Sequence, residues 1–319
     1  MGGLSWGLLP LLLVVICGYF TIEQPRFIGP RNISNVMVQA SYLITLSAAQ
    51  MMVLIVRGFD LSMGTVLSAT SVLLALIITA ILHQDANATG LAVVAGVAGA
   101  LGIGVLAGAV NGACVVFLKV NPFVVTLGTQ GIAAGVAATV SGGFPVFGLP
   151  MRLTTVLSMG KVGGIPVPVI AAILILLVLY VILNYTVFGR GLYLVGSNPR
   201  AAIAAGLPSS SIVLGAYVLC SAVVAIVAIL LTARTGSGEP NIGGGFMLQS
   251  IAAAVIGGLS LRGGQGTIYH CIIGGLFVTV LSNGMDLLQV DSFLQMVVLG
   301  GIFIAAVFLD RLYHATPTG

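Results

Sequence analysis

The charged residues of this chain fall between its apolar runs rather than within them. Eleven basic and seven acidic residues serve 319 positions, only 6% charged, where an ordinary soluble domain carries roughly 25%. No water-facing surface can be covered at that density. With 59% hydrophobic residues and a mean hydropathy of +1.20, the chain reads as one that gives its apolar surface to lipid. A membrane span takes about 20 mostly apolar residues, so a chain of this length holds about ten. Length alone would suit two soluble domains, and composition overrides that reading.

Spans are predicted at 4–22, 33–56, 61–82, 90–118, 122–141, 165–185, 211–233, 246–260, 266–284 and 292–309. The fold class that follows is all-α, a polytopic transmembrane helix bundle of about ten spans. Glycines make some of them short or interrupted, notably 122–141 and 246–260. The first run lacks a basic leader and nine more follow it, so it reads as a membrane helix rather than a signal peptide. With the N-terminus inside, Arg57, Lys119, Arg190, Arg200, Arg262 and Arg311 face the cytoplasm. Arg26, Arg31, Arg152, Lys161 and Arg234 then lie outside, a narrow excess of positive charge inside. Every charge falls at or near a span end, as it should when a charge at the bilayer centre costs several kcal/mol.

The net charge of +4 and pI near 9.0 come from scattered single residues, with no basic run and no aromatic interleaving, so nucleic acid is not an expected partner. Cys17, Cys114, Cys220 and Cys271 lie far apart inside apolar segments and read as packing residues. No metal-ligand spacing occurs, and no metal site is expected. There is also no phosphate-binding G-x-x-x-x-G-K-[ST], no nucleophile elbow and no HExxH, and only three histidines, so an enzyme has little to work with.

Polar residues inside or beside the spans are candidates for a translocation path. In "RGFDLSMGTV", residues 57–66, Asp60 reads as an ion site or as a cap on the third span, with Arg57 as its natural partner. In "NPFVVTLGTQGIAAG", residues 121–135, Asn121 reads as an N-cap, and Thr126, Thr129 and Gln130 follow within two turns. Asn111 and His270 complete the set; each also has a packing explanation. Gly96, Ala100, Gly104, Gly108 and Gly112 form a small-residue stripe on the fourth span, which predicts close helix packing. Two pairs of segments hint at internal repetition: "RGFDLSMG" with "GGLSLRGG", and "NGACVVFLKVNPFV" with "NGMDLLQVDSFL". The loop 142–164 is the longest on the outer face and is open to a soluble partner.

One stretch is unlike its surroundings. "VGSNPRAAIAAGLPSSS", residues 195–211, carries an N-cap at Asn198, a proline at the first helical position, a C-terminal glycine at Gly206 and a stop at Pro208. A two-turn helix is not stable alone in water, so it needs a partner surface. Its small-sided face reads as a docking element between the sixth and seventh spans.

That stretch resembles the coupling region of permease subunits from bacterial ABC importers of simple sugars, of the ribose, galactose, xylose and arabinose type. "GFDLSMG", "NPFVVTLGTQGIAAG" and "AVIGGLSLRGGQGT" agree with it in order and spacing, and the resemblance covers nearly the whole chain. It implies a type II-like importer permease: one transmembrane domain over 1–319 with a cytoplasmic coupling segment at about 186–210. It further implies separate ATPase subunits, a second identical or paralogous permease, and a periplasmic binding protein that delivers sugar. The chain itself would bind no cofactor, with ATP and Mg held by the partner ATPase, in a bacterial inner membrane. Carried over by residue, the coupling role falls on Gly196, Asn198, Pro199, Arg200, Ala201, Ala202 and Gly206. The family pattern commonly has Gly where this chain has Arg57, and related permeases carry nucleosides, branched-chain amino acids or a furanosyl signalling molecule. Two other readings compete: an ion-coupled secondary transporter working through Asp60 or His270, and a multispan membrane enzyme, for which no cluster of polar residues is found.

Overall fold

The computed structural model describes the backbone of residues 5–315 and the side chains of residues 9–308. In chain order the helices are α1 (Ser5–Glu23), α2 (Pro30–Ile55), α3 (Met63–Gln84), α4 (Thr89–Val116), α5 (Pro122–Ser141) and α6 (Met151–Leu157). A two-stranded hairpin, β1 (Lys161–Val162) and β2 (Ile165–Pro166), leads into α7 (Val167–Tyr185), α8 (Val187–Ser197), α9 (Pro199–Ala204) and α10 (Ser209–Thr235). Then come α11 (Phe246–Ile256), α12 (Ile268–Leu287) and α13 (Ser292–Ala315). All ten predicted spans are helices, and among the described residues α2, α3, α4, α5, α7, α10 and α12 are each long and apolar enough to cross a membrane.

Polarity runs inward. Ser41, Thr45, Ser47 and Gln50 of α2 are buried, while Leu91, Val94 and Leu106 of α4 and Leu174, Leu177 and Val178 of α7 face out. A soluble bundle arranges these the other way. Lipid solvates hydrocarbon as well as a core does, so what must be hidden is the hydroxyl and the amide. Several buried hydroxyls return to their own helix, as Thr45 Oγ1 does to the Ser41 carbonyl at 2.7 Å. The central helix is α2, with 89% of its apolar window inside the protein, packed on by α7, α10, α11 and α12.

The glycine stripe of α4 sets the closest packing. Ile78 of α3 covers Gly96, and α10 covers Gly104, Gly108 and Gly112. A Cβ at Gly108 would stand 2.5 Å from the Tyr217 carbonyl oxygen and 2.8 Å from the Val218 Cα, both backbone atoms that cannot swing away.

Of the two spans expected to be short or interrupted, the eighth is short and the fifth is not. The fifth span is a single unbroken 20-residue helix, because Gly128, Gly131 and Gly135 face open space rather than a kink. The eighth, α11, is only 11 residues, about 16 Å at 1.5 Å per residue, which is half of a roughly 30 Å hydrocarbon core. The segment before it folds back along α3. Glu239 N–H bonds Ser71 Oγ at 3.1 Å, Gly243 N–H bonds Ser68 Oγ at 3.0 Å, and Gly243 meets the backbone of Gly64. Irregular backbone is tolerated at depth because side chains inside the protein satisfy it. The loop 142–164 holds α6 and the first strand of the hairpin.

Candidate functional site

The predicted helix stands at 199–204 as α9, and its termini form as the sequence specifies. Asn198 Oδ1 accepts from Ala201 N–H at 3.1 Å, Pro199 opens the helix, and Gly206 takes φ +76 beyond its end. Asn198, Arg200, Ala201, Ile203, Ala204, Ala205 and Gly206 are exposed, and Pro199 is half-buried. Ala202 is buried, and so is Gly196. Of the named coupling residues, Gly196 and Ala202 therefore hold the segment to the bundle, while the others form its free face.

A second helix was not foreseen here. α8 spans Val187–Ser197, capped by Thr186 Oγ1 accepting from Gly189 N–H at 3.0 Å. Glycines at 189, 191 and 196 make the sequence look like a loop. In the structure each is pressed against a neighbour: Gly189 against the backbone of Ile182 and Leu183, Gly191 against Ile212, Gly196 against Ile55 and Gly264. Glycine serves close approach here, and burial supplies the helix stability that propensity withholds.

α8 is tied to the bundle at its C-terminal end. α2 ends in a back-turned pair of bonds, Arg57 N–H to the Leu54 carbonyl at 3.0 Å and Gly58 N–H to the Val53 carbonyl at 2.9 Å. This puts Arg57 at φ +63. The Arg57 side chain then reaches α8, where Nε donates to the Gly196 carbonyl at 2.5 Å and Nη2 to the Ser197 carbonyl at 2.6 Å. The expected Arg57–Asp60 pairing does not form. Gly264 N–H donates to the Ile55 carbonyl at 2.8 Å, and Tyr193 Oη to the Gly266 carbonyl at 2.8 Å, so the loop before α12 joins the same junction.

Asp60 lies deeper, 1% exposed, in the connector between α2 and α3. Its Oδ1 accepts the Ser62 backbone N–H at 2.9 Å and the Ser62 hydroxyl at 2.5 Å, at the N-cap position of α3. Asn111 Nδ2 donates to Ser62 Oγ at 2.9 Å, and Thr129 Oγ1 donates to Asn111 Oδ1 at 2.6 Å. One chain of hydrogen bonds thus joins the connector, α4 and α5, with every donor pointing toward the carboxylate. The other carboxylate oxygen, Oδ2, has no hydrogen-bond partner among the described residues.

Three of the six path candidates, Asp60, Asn111 and Thr129, are therefore brought together. Thr126 lies buried one turn earlier on α5, its hydroxyl turned to the Pro122 carbonyl at 2.9 Å, and Gln130 is half-buried beside Thr129. His270 has a separate task. It forms a capping box with Thr267, whose N–H donates to His270 Nδ1 at 3.1 Å at the start of α12. Sequence reading missed Ser62 and the arginine contact to α8. Spacing carries no signal for bonds between residues 49 or 139 positions apart. No group of three or more potential metal ligands is found among the described residues.

Asn111 and Thr126 are fully buried with their side-chain hydrogen bonds already made inside the bundle, while Thr129 and Gln130 are half-buried.

Residues 32–307 match the family model described as branched-chain amino acid transport system / permease component. The D-allose transport system permease protein AlsC of Escherichia coli (strain K12) is 31% identical, with 97% of this chain and 92% of that protein covered. The ribose import permease protein RbsC of Bacillus subtilis (strain 168) is 34% identical over 96% and 91%, and the L-arabinose ABC transporter permease protein AraH of Azospirillum brasilense is 31% identical over 94% and 86%. No solved structure matches the chain. A helical bundle with outward apolar faces, matched to that family over residues 32–307, is a multi-pass membrane protein, and the chain belongs to the family of transport system permease components.

Proposed function

We propose that the chain is the membrane permease subunit of an ATP-driven importer for a simple sugar. The observation that carries this is α9: a short helix, capped at both ends, fixed to the bundle by Ala202 and leaving Arg200, Ala201, Ile203, Ala204 and Ala205 exposed. An isolated helix of this length is not stable in water, so its exposed face calls for a partner surface. The sequence has no phosphate-binding loop, so the ATPase is a separate chain that holds ATP and Mg. In this reading residues 1–319 are one permease domain, and the segment at about 186–210 lies in the cytoplasm as its coupling element. The N-terminus is cytoplasmic, a second permease completes the pathway, and α6 with the hairpin faces a periplasmic binding protein. The membrane is a bacterial inner membrane. This chain does no chemistry on the solute.

Related proteins named for allose, ribose and arabinose transport favour a simple sugar as the solute. A neutral polyhydroxylated solute needs only hydrogen-bond donors and acceptors along its path.

Purification of the chain from its native cells in mild detergent, followed by reconstitution with the recovered partners, tests the proposal. A stoichiometric P-loop ATPase and uptake of a labelled aldose that needs both ATP and a binding protein are expected. Uptake that collapses with the proton gradient and not with ATP depletion contradicts it.

A further inference from the structure

Arg57 holds an unfavourable backbone conformation and uses its side chain on another helix. At φ +63 a glycine would sit at no cost, whereas a long side chain is disfavoured. Such strain persists where the surroundings impose it, and it concentrates at sites with a task. Here the guanidinium binds two successive carbonyls, Gly196 and Ser197, at the end of α8. Those carbonyls lack helical partners because Asn198 breaks the chain direction and starts α9. Arg57 therefore places a fixed positive charge on the negative end of α8, at the joint where α8 meets the coupling helix.

The contact is stiff on both sides. Gly196 lies directly against the backbone of Ile55 and Gly264, so no side chain cushions the approach of α8 to the end of α2. Gly58 meets the Tyr217 ring hydroxyl, and the Phe59 carbonyl accepts from Tyr217 Oη at 3.4 Å. Three residues after Arg57, Asp60 opens the bonded chain through Ser62 and Asn111 to Thr129. The connector between α2 and α3 is thus clasped at one end to α8 and locked at the other to α4 and α5, with too few residues between to absorb a displacement.

We propose that Arg57 is a positioning residue that passes movement of the α8–α9 segment into the α2–α3 connector and, through Asp60, Ser62, Asn111 and Thr129, to α5. The inference rests on the reading of α9 as the ATPase-docking element. It assigns the link inside this chain between the docked motor and the helix that carries Thr126, Thr129 and Gln130. Because the guanidinium is exposed, its loss leaves no buried hole.

Arg57→Gly is the informative variant, since it removes both bonds and relieves the backbone at once. It is made in the full complex, with ATPase and binding protein, and solute delivered per ATP hydrolysed is measured. Thermal stability at or above that of the unmodified complex is expected, with ATP hydrolysis retained and the delivery ratio down at least fivefold. Arg57→Lys, which keeps the charge but not the two-pronged geometry, should fall between. A merely structural cap would move stability and leave the ratio alone. Combining Arg57→Gly with Ser62→Ala, which cuts the bonded chain between Asp60 and Asn111, tests the route: the double variant should deliver no less per ATP than Arg57→Gly alone, whereas multiplied losses overturn the passage to α5. An unchanged ratio in Arg57→Gly, in a complex whose unmodified form transports, overturns this inference alone. An unmodified complex without ATP-driven uptake overturns the importer reading and this inference with it.

Discussion

Asn111 of α4 and Thr129 of α5 hydrogen-bond at 2.6 Å, and the same asparagine donates to Ser62 at 2.9 Å. A single buried amide thereby holds three segments that are distant in sequence. Both of its polar atoms are used, so it is placed by both neighbours and cannot rotate without losing one. Replacing Asn111 by alanine leaves Ser62 and Thr129 short of a partner inside the bundle, at a cost of roughly 1–3 kcal/mol. The expected outcome is a lower thermal midpoint and slower solute passage in reconstituted vesicles. Asn111→Ser, which can keep one of the two bonds, should recover part of both.

Gly108 predicts a packing defect of another kind. A methyl group there meets the Tyr217 carbonyl and Val218 Cα, and neither can yield without moving α10. Overpacking of this sort costs about 1–3 kcal/mol. Gly108→Ala should lower the yield of folded protein and its thermal midpoint. Gly102→Ala, on the same helix with nothing within 4 Å, should leave both unchanged or raised. Equal effects at the two positions would contradict the close α4–α10 contact.

The N-cap at Asn198 gives a local prediction. Its side chain satisfies one of the open N–H groups of α9, and its loss costs about 1 kcal/mol of helix stability. In Asn198→Ala, hydrogen exchange should quicken at Ala201 and Ala202 and stay unchanged in α10. Asn198→Asp should restore protection.

Much of the fold was legible in the amino-acid sequence because lipid imposes one demand, an apolar run long enough to cross it. Prolines at 30 and 122 and glycines at 142 and 236 mark where helices begin and end. α8 was not legible, since its glycines read as loop and only burial against Ile55, Ile182 and Ile212 makes them helical. Asp60 was legible as an ion site or a cap, yet its neighbour Arg57 looked like its partner by proximity in sequence. The left-handed turn at Arg57 and the open carbonyls of α8 give the guanidinium other partners, which no local pattern encodes. His270 was counted among path residues because a histidine inside a span is expensive. Its capping bond to Thr267 explains its presence at a helix start. The coupling residues were legible as a segment but not as faces: Ala201 and Ala202 are adjacent and alike, and only the fold distinguishes the exposed one from the buried one.

That distinction gives the most direct test of the central claim, that α9 docks a separate ATPase. Ala201→Cys and Ala202→Cys are made separately in a chain whose Cys17, Cys114, Cys220 and Cys271 are replaced by serine or alanine. Each is purified with its partners and treated with a short thiol-to-amine crosslinker. The account predicts a crosslink from position 201 to a P-loop ATPase and little or none from position 202. An intact complex in which position 201 reaches no ATPase, or in which both positions crosslink equally, would contradict it.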